Sequence, residues 1–136
     1  MTELIDKLRQ RMPTFMKLLG VELVSVTPDR VEARMLARED MDNSAGVLHG
    51  GAFMSFADYL GAVGTIANLP KGAITTTMES KTNFFRPMRI GGVVAGISTP
   101  LHKGRRTMVW QTRLADKDDK TLALVTQTQM VIPREE

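Results

Sequence analysis

The chain has 136 residues with a formal net charge of +3, no cysteine and only 2 histidines. That length suits one domain with a sizeable core, and 43% hydrophobic with 24% charged residues is the balance of a globular protein rather than a disordered or bilayer-spanning one. The cysteine and histidine counts exclude disulfides, thiolate metal sites and a histidine-built zinc site, so no metal or cofactor is expected.

Neither a signal sequence nor an apolar run near the ~20 residues needed to span a bilayer occurs, so a cytoplasmic protein without a membrane partner is expected. The mild positive charge accommodates an anionic ligand. With no helix-turn-helix pattern and no basic run interleaved with aromatics, nucleic acid is not an expected partner.

Leu4, Ile5, Leu8, Met12, Phe15, Met16 and Leu19 follow helical spacing interrupted at Pro13. One helix or two short ones are predicted over 1–19, ended by Gly20. Two alternating stretches, 21–26 and 31–38, flank Thr27-Pro28-Asp29-Arg30 and read as a β-hairpin. Residues 39–48 lack periodicity and carry Asp40, Asp42, Asn43, Ser44 and Gly46. They form a polar loop of the kind in which ligand groups sit.

The helix predicted over 50–68 organises the rest. Phe53, Phe56, Ala57, Leu60, Gly64 and Ala67 make one apolar stripe, while Met54, Ser55, Gly61, Ala62 and Thr65 occupy the face turned away from it. Asp58 is the only formally charged residue between Gly50 and Asn68. A helix back open to water would hold Lys, Arg and Glu, so this one is expected to be covered by its own sheet and by something else. Gly61 and Gly64 each cost about 1 kcal/mol against Ala, which argues that another backbone comes close there.

A buried carboxylate is expensive unless it is paired or used, which singles out Asp58. His49-Gly50-Gly51 is a poor helix interior but a good helix start, leaving first-turn N–H groups open to a carbonyl oxygen or a developing oxyanion. Asp58 lies eight residues beyond Gly50, roughly 12 Å further along the axis. One chain cannot bring both to one reacting carbon. If they cooperate, the carboxylate comes from a second copy of the helix, and a homodimer follows from the spacing and the uncharged face together.

Strands are predicted at 73–85, from 93 to about 101, at 107–115 and at 121–132, with a charged turn at 116–120 and a tail at 133–136. In the first of these, strict alternation puts Ile74, Thr76, Met78, Ser80, Thr82 and Phe84 on one face and Thr75, Thr77, Glu79, Lys81, Asn83 and Phe85 on the other. In the second, Val93, Ala95, Ile97, Thr99 and Leu101 share a face. Four strands after one covered helix predict an α+β architecture: a curved antiparallel sheet wrapped around that helix.

Asn43, His49-Gly50-Gly51, Asp58, Thr77, Phe84-Phe85-Arg86-Pro87 and Gly104-Arg105-Arg106 resemble the hotdog-fold acyl-CoA thioesterases of the phenylacetic-acid-degradation (PaaI-like) type. The resemblance runs over about 20–132, with Asn43 six residues before His49 and Asp58 nine after it. It implies the hotdog fold, homodimers with active sites at the interface and often a dimer of dimers.

The resemblance also implies roles. The Gly50 N–H would polarise the thioester carbonyl, with Asn43 and His49 holding that end. Asp58 of the partner subunit would act as general base or nucleophile, and Thr77 would orient the water, with Thr75 on the same strand face as its rival. Gly51, Phe53 and Met54 are candidates for binding the substrate at its acyl end, while Arg86 and Arg89 are further candidates for the coenzyme A phosphates. Lys103, Gly104, Arg105 and Arg106 would clamp the phosphates of coenzyme A, which is part of the substrate and not a cofactor. A non-catalytic hotdog module that binds acyl-CoA is the alternative. The retained Asp58, Asn43 and His49 favour the enzyme.

Overall fold

The structure, a computed structural model, describes residues 2–134; Met1, Glu135 and Glu136, the last two belonging to the predicted tail, lie outside the described residues. The amino-terminal segment forms two helices, α1 (Thr2–Gln10) and α2 (Thr14–Leu19), separated at Pro13. Gly20 stops α2 in the left-handed conformation, φ 72°. Its N–H bonds the Lys17 carbonyl and Val21 N–H bonds that of Met16, so the last carbonyls of the helix are satisfied by the turn itself.

Six strands form one antiparallel sheet: β1 (Glu22–Thr27), β2 (Arg30–Leu36), β3 (Ile74–Phe84), β4 (Val93–Lys103), β5 (Thr107–Ala115) and β6 (Thr121–Ile132). Their order is β1-β2-β4-β5-β6-β3. Because β2 lies near one edge and β3 is the other edge, the chain between them must cross the sheet. Helix α3 (Gly50–Ile66) makes that crossing. Phe56, Ala57, Leu60 and Val63 are wholly buried against Val31, Val94, Leu114 and Val125 of the sheet. Each fully buried side chain of the Val, Leu or Phe type contributes roughly 1.5–3 kcal/mol, which makes this layer the core.

The structure changes three expectations. The close approaches at Gly61 and Gly64 are made by side chains of the sheet, Gln127 and Trp110, and not by another backbone. Gly61 and Thr65 are buried there and do not belong to the outer face. In β3 a bulge between Thr77 and Glu79 resets the alternation. Thr75 and Thr77 face α3, but beyond the bulge Ser80, Thr82 and Phe84 pair with Gln127, Val125 and Ala123 and take over that face. In β4 the residues toward the helix are Val94, Gly96 and Ser98, whereas Val93, Ala95, Ile97, Thr99 and Leu101 look outward. Gly96 is what lets Phe56 and Leu60 sit directly on the strand.

Residues 39–48 are more ordered than a plain loop, with a 3-10 turn at Glu39–Met41 and a bridge between Asp42 and Leu48. The turn at 116–120 closes on Asp116, whose Oδ1 accepts the N–H groups of Lys120 and Asp118. The bond from Lys120 is foremost in holding its carboxyl below the usual carboxylate range. Among the described residues no helix is long and apolar enough to cross a membrane.

Candidate active site

The start of α3 is built by its own cap. His49 is extended, φ −61° and ψ 137°, and its Nδ1 accepts the Gly51 N–H at 2.8 Å. An accepting Nδ1 assigns the ring proton to Nε2. Gly50 N–H meets no acceptor among the described residues, so one first-turn donor stays open at the positive end of the helix.

The preceding loop is tied down by Asn43 N–H to Val47 O at 3.0 Å and His49 N–H to Met41 O at 2.8 Å. Asn43 Oδ1 accepts the Ala45 N–H at 3.0 Å, which leaves the amide NH2 as the available end of that side chain. Asn43, Gly50, Phe53, Phe84, Phe85 and Arg86 line one groove of about 330 Å³. Phe53 and Phe84 meet edge to face there, centroids 6.0 Å apart. The groove thus combines apolar walls with two residues, Gly50 and Asn43, that have N–H donors to spare.

Asp58, half-buried in the middle of α3, anchors a second polar group. Thr77 Oγ1 lies 2.6 Å from its Oδ1, and Gln127 Nε2 lies 3.1 Å from its backbone oxygen and 3.4 Å from Oδ1. Thr77, and not Thr75, carries the hydroxyl at Asp58; Thr75 turns to Met130 O at 2.8 Å. No cation pairs with Asp58 among the described residues. The group can take a proton and can hold a water beside it.

The remaining candidates are placed unevenly. Met54 does not line the groove at Gly50; it is 41% exposed on the flank of α3 that the sheet leaves bare. Gly104, Arg105 and Lys103 border a different groove, of about 560 Å³, beside Asn68, Leu69 and Pro70. Lys103 is already engaged there, its Nζ 2.6 Å from Asp29 Oδ1. Arg106 contributes its backbone oxygen to Val131 N–H, and neither it nor Arg105 has an ion pair among the described residues. Lys103, Met108, Gln129 and Thr77 are successive partners across β4, β5, β6 and β3. Three steps of the sheet, roughly 14 Å, therefore separate the hairpin from the hydroxyl at Asp58.

Within one chain the Gly50 end and the Asp58 end stay apart, eight positions from each other along α3. Gln127 and Gln129, both with no solvent exposure, belong to the Asp58 group and have no role in the sequence analysis. The available signal is Gly61 on the third residue after Asp58, because a side chain there would overlap the Gln127 amide. Among the described residues no group of three or more His, Asp or Glu is gathered closely enough to hold a metal ion.

The thioesterase superfamily model matches residues 45–123, from the loop before α3 into β6. The chain belongs to the thioesterase superfamily. A Haemophilus influenzae protein described as a candidate esterase is 31% identical over 114 residues, 84% of this chain and 82% of that one. The 1,4-dihydroxy-2-naphthoyl-CoA hydrolase of Listeria monocytogenes is 24% identical over 106 residues, 78% of this chain and 85% of its own length. Among solved structures a Haemophilus influenzae thioesterase superposes with a TM-score of 0.90 at 27% identity, covering 97% of this chain and 92% of that chain. The PaaI protein of Escherichia coli shares the fold at a TM-score of 0.83 and 22% identity, over 94% and 91% of the two chains. The protein is a thioester hydrolase with the hotdog fold that PaaI shares.

Proposed function

We propose that this thioesterase hydrolyses acyl-CoA to the free carboxylic acid and coenzyme A in sites shared between two subunits. The reading is carried by one observation: the open Gly50 N–H and the Asp58–Thr77 pair lie eight residues apart on α3, roughly 12 Å. They have the chemistry of two halves of one site. A second copy of α3 laid antiparallel on the first brings each open N–H to the other's carboxylate. Two features support that packing. The bare flank of α3 holds Met54, Ser55 and Ala62 and no charge apart from Asp58, and β3 is a sheet edge with unpaired backbone groups.

In that site the thioester carbonyl oxygen sits at Gly50 N–H, with Asn43 and His49 at the same end, and the acyl group runs between Phe53 and Phe84. The Gly50 donor stabilises the charge that develops on oxygen as the carbonyl becomes tetrahedral. Asp58 of the partner subunit takes a proton from water, and Thr77 fixes the carboxylate. Arg105 and Arg106 are suited to the phosphates of coenzyme A, because guanidinium groups bind phosphate bidentately. Arg86 is a further candidate, while Lys103 must first leave Asp29.

The test is release of free thiol from a panel of short, long and aromatic acyl-CoAs by wild type and Asp58→Asn. Turnover should fall by about 10²–10⁴-fold in the variant with acyl-CoA binding retained. Full turnover in Asp58→Asn would remove the carboxylate from the mechanism. Binding without thiol release by wild type would favour the acyl-CoA-binding module.

A further inference from the structure

Two wholly buried glutamine amides beside the candidate base demand an explanation, because a buried amide costs free energy unless its donors and acceptor are all used. Their orientation follows from the one partner that can only accept. Gln127 faces the backbone oxygen of Asp58 at 3.1 Å, so the group presented there is the NH2. The same NH2 lies 3.0 Å from Gln129, which therefore presents Oε1 to it. The Gln129 NH2 is then left for Thr75 Oγ1 at 3.0 Å, and Thr75 donates onward to Met130 O at 2.8 Å. From helix to edge strand every bond has a fixed direction, and neither amide can flip without setting oxygen against oxygen.

Thr77 is where this chain of bonds meets the chemistry. Its Oγ1 is 2.6 Å from Asp58 Oδ1 and 2.5 Å from Gln129 Oε1, and it has one proton for two acceptors. With Asp58 ionised, the hydroxyl turns to Asp58 Oδ1 and Gln129 Oε1 keeps only the Gln127 NH2. Once Asp58 has gained a proton, Asp58 donates to Thr77 and Thr77 donates to Gln129, and all three oxygens are satisfied. Protonation of Asp58 thus gives Gln129 Oε1 a second donor, while Gln127 Oε1 meets no donor among the described residues in either state.

We infer that Gln129 is a positioning residue for hydrolysis that acts through Thr77. As water attacks, its O–H bond breaks and an O–H bond forms at Asp58; the water oxygen bonds the carbonyl carbon, and the carbonyl electron pair moves onto oxygen. In the same step the Thr77 hydroxyl turns about Cβ–Oγ1 from Asp58 to Gln129 Oε1, with no bond broken. Collapse of the tetrahedral carbon then breaks the C–S bond, and the Asp58 proton leaves with the sulfur, so Thr77 turns back. Gln127 and Thr75 hold Gln129 Oε1 where the hydroxyl needs it, and Gly61 makes room for Gln127.

This inference rests on Asp58 acting as base, so the experiment carries Asp58→Asn beside Gln129→Met, Thr77→Val and their double variant. Gln129→Met keeps volume and removes both polar ends; Thr75→Val, which frees the Gln129 amide without touching its oxygen, serves as the milder second probe. Gln129→Met is expected to lower kcat by about tenfold with KM within about twofold, and to lower it no further in the Thr77→Val background. Thr75→Val should show the same dependence on Thr77 with a smaller effect. Equal losses of kcat with and without Thr77, a change confined to KM, or wild-type kcat in Gln129→Met would each overturn the inference. If Asp58→Asn keeps full turnover, the reading of Asp58 as base fails and this inference with it; if only the Gln129 dependence fails, the base stands.

Discussion

Tyr59 lies on the side of α3 that packs into the core, only 8% exposed, and its hydroxyl has no hydrogen-bond partner among the described residues. Burial pushes the phenol up to about 12 from its usual 10.0. The protonated side chain therefore contributes stability that is present in full below pH 10.0 and is lost as pH rises toward about 12. Tyr59→Phe should raise stability by ~1 kcal/mol at neutral pH, since it removes a buried hydroxyl that bonds nothing. It should also remove the loss that wild type shows over that alkaline window. Urea unfolding of both proteins at neutral pH and across the window decides it; a less stable Tyr59→Phe would mean that the hydroxyl has a partner. Residues of this kind mark the limit of what the sequence can say. Asp58 stands out because it is the only charge on its helix, whereas Gln127 and Gln129 lie in Val125-Thr126-Gln127-Thr128-Gln129-Met130, where polar residues occupy both faces. Period-two reasoning cannot choose a face there, and the choice is made by Gly61 on another element.

At the scale of elements, α3 is legible because a 17-residue helix shows its stripe clearly, and its start follows from His49-Gly50-Gly51. What its glycines meet is not legible, because that depends on which strands lie beneath. A Cβ at Gly64 would stand 2.7 Å from the Trp110 ring, and Trp110 is wholly buried and has nowhere to move. Gly64→Ala gains about 1 kcal/mol of helix propensity and incurs an overpacking cost of about 1–3 kcal/mol. The expected result is a net loss of the order of 1 kcal/mol and a Tm lower by several degrees. A higher Tm in thermal unfolding would show that the ring yields. In β3 simple alternation holds up to Thr77 and inverts after it, because one extra residue in a bulge exchanges the faces of everything that follows. That exchange is functional in position: it points Phe84 at Gly50 and leaves Thr77 at Asp58, so one strand serves both halves of the candidate site.

For the whole molecule the question is whether those halves meet across two chains. The edge strand leaves Ile74 61% and Met78 53% exposed, Ile74 on the face turned away from α3, and it offers a second copy an unpaired backbone edge. The sequence carries this much through distance alone, since the rise of a helix separates Gly50 from Asp58 whatever the sheet does. Gly50→Pro provides the complementary lesion to Asp58→Asn. Proline is suited to the first helical position, and His49 at ψ 137° already has the extended conformation that a following proline requires. The ring must press on the flexible end of Phe84, which lies 3.2 Å from where a Cβ on residue 50 would stand, while the only backbone donor lost is the open N–H. Alone, Gly50→Pro should cut turnover by roughly 10²–10³-fold, as removal of an oxyanion donor does. Co-expressed with Asp58→Asn under separate tags, it should restore about a quarter of wild-type turnover, because half of the random dimers are mixed and each of these has one of two sites intact. Purified mixed dimers should then approach half. Restoration absent from a verified mixed dimer would place Gly50 and Asp58 in separate events, and each chain would have to complete its own site.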